Sequence, residues 1–121
     1  MIIKHLSALL ALSFLCTPAT ADDASIKAVD ARKDGTAWTF SVTLEHGDTG
    51  WDDYADGWRV VAEDGTELGL RTLFHPHVNE QPFTRSQSGI VIPDGTARVF
   101  VEARTLTDGW GAVRFSVDLP E

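Results

Sequence analysis

The sequence predicts an all-β protein, a seven-stranded antiparallel sandwich, and three observations carry that expectation. Apolar and polar residues alternate with period two in short runs, as in strands with one face buried. Asp-Gly turns separate several of those runs, and no segment beyond the amino-terminal leader keeps a helical period. The strands are expected near residues 24–32, 37–46, 57–63, 66–74, 84–92, 96–104 and 110–119, with a meander or a small β-barrel as the alternative packing.

Residues 1–21 have the layout of a secretory signal: Lys4, an apolar run from Leu6 to Leu15, and Ala19-Thr20-Ala21, which puts small residues at −3 and −1 of a cut before Asp22. The apolar run is shorter than the roughly 20 residues a membrane-spanning helix needs, and nothing later is continuously apolar, so no membrane insertion is expected. Cys16 follows Phe14 and Leu15 where a lipoprotein signal wants small residues, which argues against a lipid anchor. The expected product is one periplasmic or secreted domain, 22–121. Cleavage removes Cys16 and Met1, the one cysteine and the one methionine, so a packed apolar core must stabilise the domain without a disulfide. A domain of about 100 residues can bury one such core.

All 18 acidic residues and 9 of the 10 basic ones follow the cut, a net charge of −9. Nucleic acid and anionic membranes both call for a basic face, so neither is an expected partner.

The clearest strand, Trp38 to His46, puts Trp38, Phe40, Val42 and Leu44 on one face and Thr39, Ser41, Thr43 and Glu45 on the other. Val99, Val101 and Ala103 alternate likewise with Arg98, Phe100, Glu102 and Arg104, and Val113, Phe115, Val117 and Leu119 with Arg114, Ser116 and Asp118. Trp58 shares parity with Val60 and Ala62 and is expected in the core; Arg59 and Arg71 are expected to face outward. Asp34-Gly35-Thr36, Asp64-Gly65-Thr66 and Asp94-Gly95-Thr96 recur every 30 residues between strands, where glycine supplies the positive φ of a tight turn. If strand direction alternates, these three turns share one pole. The loops 47–56 and 75–83 and the segment 105–109 then share the other. Loops on a rigid sandwich are where binding groups commonly sit.

That second pole collects the unusual chemistry. All three histidines after the leader, His46, His75 and His77, belong to it. In His-x-His on an extended chain both imidazoles face one way, so they can share a metal with His46 as a third ligand; Asp48, Asp52, Asp53 or Glu80 can complete the set. Nitrogen ligands with a carboxylate suit copper or zinc better than calcium or magnesium. Against this, Pro76 can turn the two imidazoles apart, and His46 has the parity of a core residue. The loop 47–58 holds four carboxylates and three aromatic rings; Trp51, Asp52, Asp53 and Trp110 are candidate contacts for a protein or carbohydrate partner. Arg85 is expected to pair with that acidic loop. No Gly-x-Ser-x-Gly elbow or thiol supports nucleophilic catalysis, so a non-enzymatic binding role is the expectation.

Gly69, five residues, then His75-Pro76-His77 and Glu80 resembles the first metal motif of the cupins. The carboxylate comes one residue early, and no histidine follows His77 to make the second motif. The stretches His46-Gly47-Asp48-Thr49-Gly50-Trp51, Tyr54-Ala55-Asp56-Gly57-Trp58 and His75 to Ser86 resemble small uncharacterised exported proteins of proteobacteria. That resemblance implies export and brings no activity with it. In strand number and length the domain also resembles immunoglobulin-like and fibronectin type III modules, which implies a fold and not a function.

Overall fold

The computed structural model describes residues 22–120; the expected leader lies outside the described residues. Eight strands follow one another: β1 (Ser25–Asp34), β2 (Ala37–Glu45), β3 (Ala55–Val61), β4 (Glu67–Thr72), β5 (Phe83–Ile90), β6 (Arg98–Thr105), β7 (Gly109–Trp110) and β8 (Phe115–Asp118). All pairings are antiparallel. One sheet runs β1-β2-β5; the other runs β4-β3-β6, with β7 and β8 both on the far edge of β6. The two sheets form an open sandwich rather than a closed barrel.

Alternation places the core as the sequence implies. Trp38, Phe40, Val42 and Leu44 of β2 meet Trp58 and Val60 of β3 and Val99, Val101 and Ala103 of β6, all buried. On the outer face of the first sheet, hydroxyl pairs Ser41–Ser86 and Thr43–Thr84, each 2.7 Å apart, join β2 to β5. Gly35, Gly65 and Gly95 have φ of 69°, 91° and 84°, the left-handed conformation their turns require.

Three details depart from the alternation. The turn at Asp94 makes no hairpin: β5 and β6 lie in different sheets, because Pro93 has no N–H for a ladder and buried Ile92 carries the chain between the layers. The last expected strand is broken into β7 and β8, and Val113 in the gap is exposed. There Asp23 enters beside the chain, accepting from Ala112 N at 3.4 Å. Arg71 is not outward. It stands opposite Trp58 across the β3–β4 ladder, and its Nε is buried.

β4 packs against β5 across the two sheets. A Cβ on Gly69 would lie 2.7 Å from Cγ1 of buried Ile90. Gly69→Ala should therefore lower stability by about 1–3 kcal/mol, read as a lower urea midpoint with unchanged slope. Wild-type stability in that variant would mean the layers separate more freely than their packing implies.

Candidate functional site

At the end of β2 the parity of the strand carries His46 inward, where it is buried. The chain then doubles back tightly, with Asp48 N donating to His46 O at 2.8 Å, and this brings the Asp48 carboxylate beside the ring. Oδ1 of Asp48 lies 2.6 Å from His46 Nδ1 and accepts from Ala55 N at 3.0 Å, while Oδ2 accepts from His77 N at 2.8 Å. The Asp48 side chain has no exposed surface. One carboxylate thus ties the loop after β2 to the loop after β4. Gln81 repeats the tie: its Oε1 accepts from His46 N and its Nε2 donates to His77 O, both at 3.0 Å. The segment after β6 joins through Leu106 N to Tyr54 O at 3.0 Å and Thr107 Oγ1 to Asp53 Oδ1 at 3.2 Å. The three loops expected at one pole therefore meet there.

With Nδ1 of His46 held by Asp48, Nε2 is turned to a different set of groups. It is 3.0 Å from the carbonyl oxygen of Asp22, 3.4 Å from Asp22 Oδ2 and 3.9 Å from Asp53 Oδ1. One ligand atom from each of Asp22, His46 and Asp53 lies within 4.8 Å of the other two. A tetrahedral ion with bonds of about 2.0–2.2 Å holds its ligands roughly 3.3–3.6 Å apart; the 3.4 Å side of this triangle matches that spacing, and the other two sides, 3.9 Å and under 4.8 Å, would have to close on an ion. A carboxylate on the far nitrogen of a histidine is the usual support of a metal ligand, since it fixes both the ring and its tautomer.

Burial alone would push the His46 imidazole down. The hydrogen bond that Nδ1 donates to Asp48 and the charges of Asp22, Asp48 and Asp53 together outweigh it and hold the ring above its ordinary value. This pole therefore already stabilises positive charge. For the metal-free protein the sign follows: the His46 contribution to stability is complete below its unfolded value of about 6.5 and is lost as pH rises through the higher folded value. Wild type minus His46→Gln should show a stability difference that shrinks from pH 6 to pH 8. A difference that grows over that range would contradict the charge balance described.

The remaining expected residues separate into other groups. The rings of His75 and His77 are 4.5 Å apart, but they do not meet His46 at a common point. His77 is buried, stacked on Phe83 at 3.9 Å, with Nε2 3.0 Å from Arg85 Nη2. Burial, then the charges of Arg85 and His75, hold His77 below its ordinary value. Exposed His75 turns Nδ1 to the carbonyl of Pro76 at 3.1 Å. Glu80 takes Arg85 at 3.2 Å, so this β5 arginine pairs with the segment just before its own strand and not with the acidic loop after β2. Trp51 is 67% exposed and touches Tyr54 edge-on; Asp52 beside it is exposed. Trp110 is half-buried on the outer sheet face under Arg59, 3.9 Å from the ring centre, and Arg104 at 5.1 Å. No ring contact links it to Trp51 among the described residues.

Sequence reasoning missed Asp22 and Gln81. In the sequence Asp22 marks only the expected cut, and a lone Gln in a polar loop carries no signal. His46-x-Asp48 at a strand exit is the one local pattern that could have singled out the central pair.

No known protein family matches the chain, and no solved structure matches it. Over 84 residues, 69% of the chain, it is 46% identical to a protein of Halomicrobium mukohataei named "Putative lipoprotein", and it spans 41% of that protein's length.

Proposed function

We propose that this chain is an exported, non-enzymatic binding module that holds a divalent transition metal, zinc or copper, through His46, Asp22 and Asp53. The observation that carries the reading is the direction of the His46 ring: buried Asp48 grips Nδ1, and Nε2 faces two carboxylates. Metal would replace the proton these groups favour, so affinity should rise with pH while His46 is protonated. Export rests on the leader and on the lipoprotein name of the relative. Periplasm or secretion is the matching location. The strand order β1-β2-β5 against β4-β3-β6 supports an immunoglobulin-like version of the sandwich.

Titration of Zn²⁺ and Cu²⁺ into untagged protein tests the reading. Asp53→Asn should weaken binding at least about ten-fold, whereas His75→Ala should leave it unchanged. The opposite pattern would move the site to the His75–His77 pair and overturn the assignment.

A second reading, a domain for a protein or carbohydrate partner, is favoured by four exposed apolar side chains on the same loops: Trp51, Phe74, Val78 and Leu106. Trp51 and Asp52 would then be the contacts. In that case a partner should change tryptophan fluorescence in wild type and in His46→Gln alike, but not in Trp51→Ala.

A further inference from the structure

We infer that removal of the leader before Asp22 makes the α-amino nitrogen of Asp22 a ligand of the same site, so that the cut itself completes a copper centre. This rests on the metal reading above and adds to it a fourth ligand, a choice of metal and a maturation step.

The observation behind it is how tightly the residues ahead of β1 are held. Asp22 is fixed to the pole at three points: its carbonyl and its carboxylate on His46 Nε2, and its backbone nitrogen 3.2 Å from Asp108 Oδ2. Asp23 is held next to it by Ala112 N. Residues that merely lead into a strand are seldom tied down in this way. In the uncut chain the Asp22 nitrogen is a peptide amide whose lone pair is delocalised and not available to a metal near neutral pH. After the cut it is an amine on the residue whose β-carboxylate is already in the ligand triangle, and nitrogen and carboxylate can close a six-membered chelate. Binding transfers the amine lone pair to the metal and releases one proton from the ammonium to solvent. The amine keeps two N–H groups, one of which can donate to Asp108. Two nitrogens with two carboxylate oxygens favour Cu²⁺ over Zn²⁺, both by donor type and by the general order of divalent affinities.

The test compares three proteins, each checked by circular dichroism for an unchanged fold: processed protein, the same protein acetylated at its α-amine, and His46→Gln. Cu²⁺ affinity is measured by titration and donors are counted from nitrogen hyperfine structure in electron paramagnetic resonance. The processed form should start at Asp22 by N-terminal sequencing. It should bind at least about ten-fold more tightly than the acetylated form, as a further ligand on a residue already in the triangle allows, and show one more nitrogen. Equal affinity and equal nitrogen count, with binding lost in His46→Gln, would overturn the amine ligand and leave the metal site standing. A start at another residue would overturn the maturation step. Failure of both unmutated forms to bind Cu²⁺ would overturn the metal reading and this inference with it.

Discussion

Replacing Asp48 by alanine should cost about 3–5 kcal/mol of stability, as large an effect as any single polar substitution in this domain. The side chain is without exposed surface and holds three groups at once: His46 Nδ1, Ala55 N and His77 N. Its removal leaves two buried backbone donors and Nδ1 of the buried His46 ring without a partner, and each orphaned group costs the desolvation it no longer recovers. Two loops also lose the carboxylate that joins them. Chemical unfolding of Asp48→Ala should show a much lower midpoint. Metal affinity in what remains folded should fall by about 10–100-fold, because the ring of His46 is no longer oriented. A loss under about 1 kcal/mol would mean water replaces the carboxylate and that the pole is not organised around it.

Phe40→Ala should destabilise by a similar amount, about 3–5 kcal/mol, for a different physical reason. Phe40 has no exposed surface and lies in the middle of β2, between Trp38 and Val42, so truncation leaves a cavity that a close-packed interior closes only in part. The two variants separate fold from site. Phe40→Ala should bind metal like wild type at temperatures where it is folded, whereas Asp48→Ala should not. Equal loss of metal binding in both would show that the pole depends on global stability and has no organisation of its own.

The core and the polarity of the loops were legible because period two is a local property. Trp38, Phe40, Val42 and Leu44 could face only one way on a strand, and their neighbours Ser41 and Thr43 only the other. The turns were legible because Asp-Gly-Thr needs glycine at positive φ wherever it occurs. What the pattern could not carry was partner choice between strands. The third Asp-Gly-Thr looks like a hairpin and instead bridges the sheets, since pairing depends on how Pro93 and Ile92 sit at the end of the sandwich.

The same limit applies to the candidate site. The sequence placed His46, Asp53, His75 and His77 at one pole, and the three loops do meet there. It could not say which nitrogen faces which oxygen. His46 and Asp22 are 24 positions apart and meet because β1 pairs with β2, with Ser25 opposite Glu45, which returns the residues before β1 to the end of β2. His75 and His77 stay close, as their spacing implies, but Phe83 and Arg85 of β5 occupy His77. Side-chain contacts of this kind follow from strand register, which a single sequence expresses only weakly.

The most direct measurement is a calorimetric titration of Cu²⁺ and Zn²⁺ into untagged wild-type protein and into His46→Gln near neutral pH. The expected result is one saturable site in the wild type, release of protons on binding, and loss of that site in His46→Gln. Identical isotherms for the two proteins, or no binding by either, would contradict it.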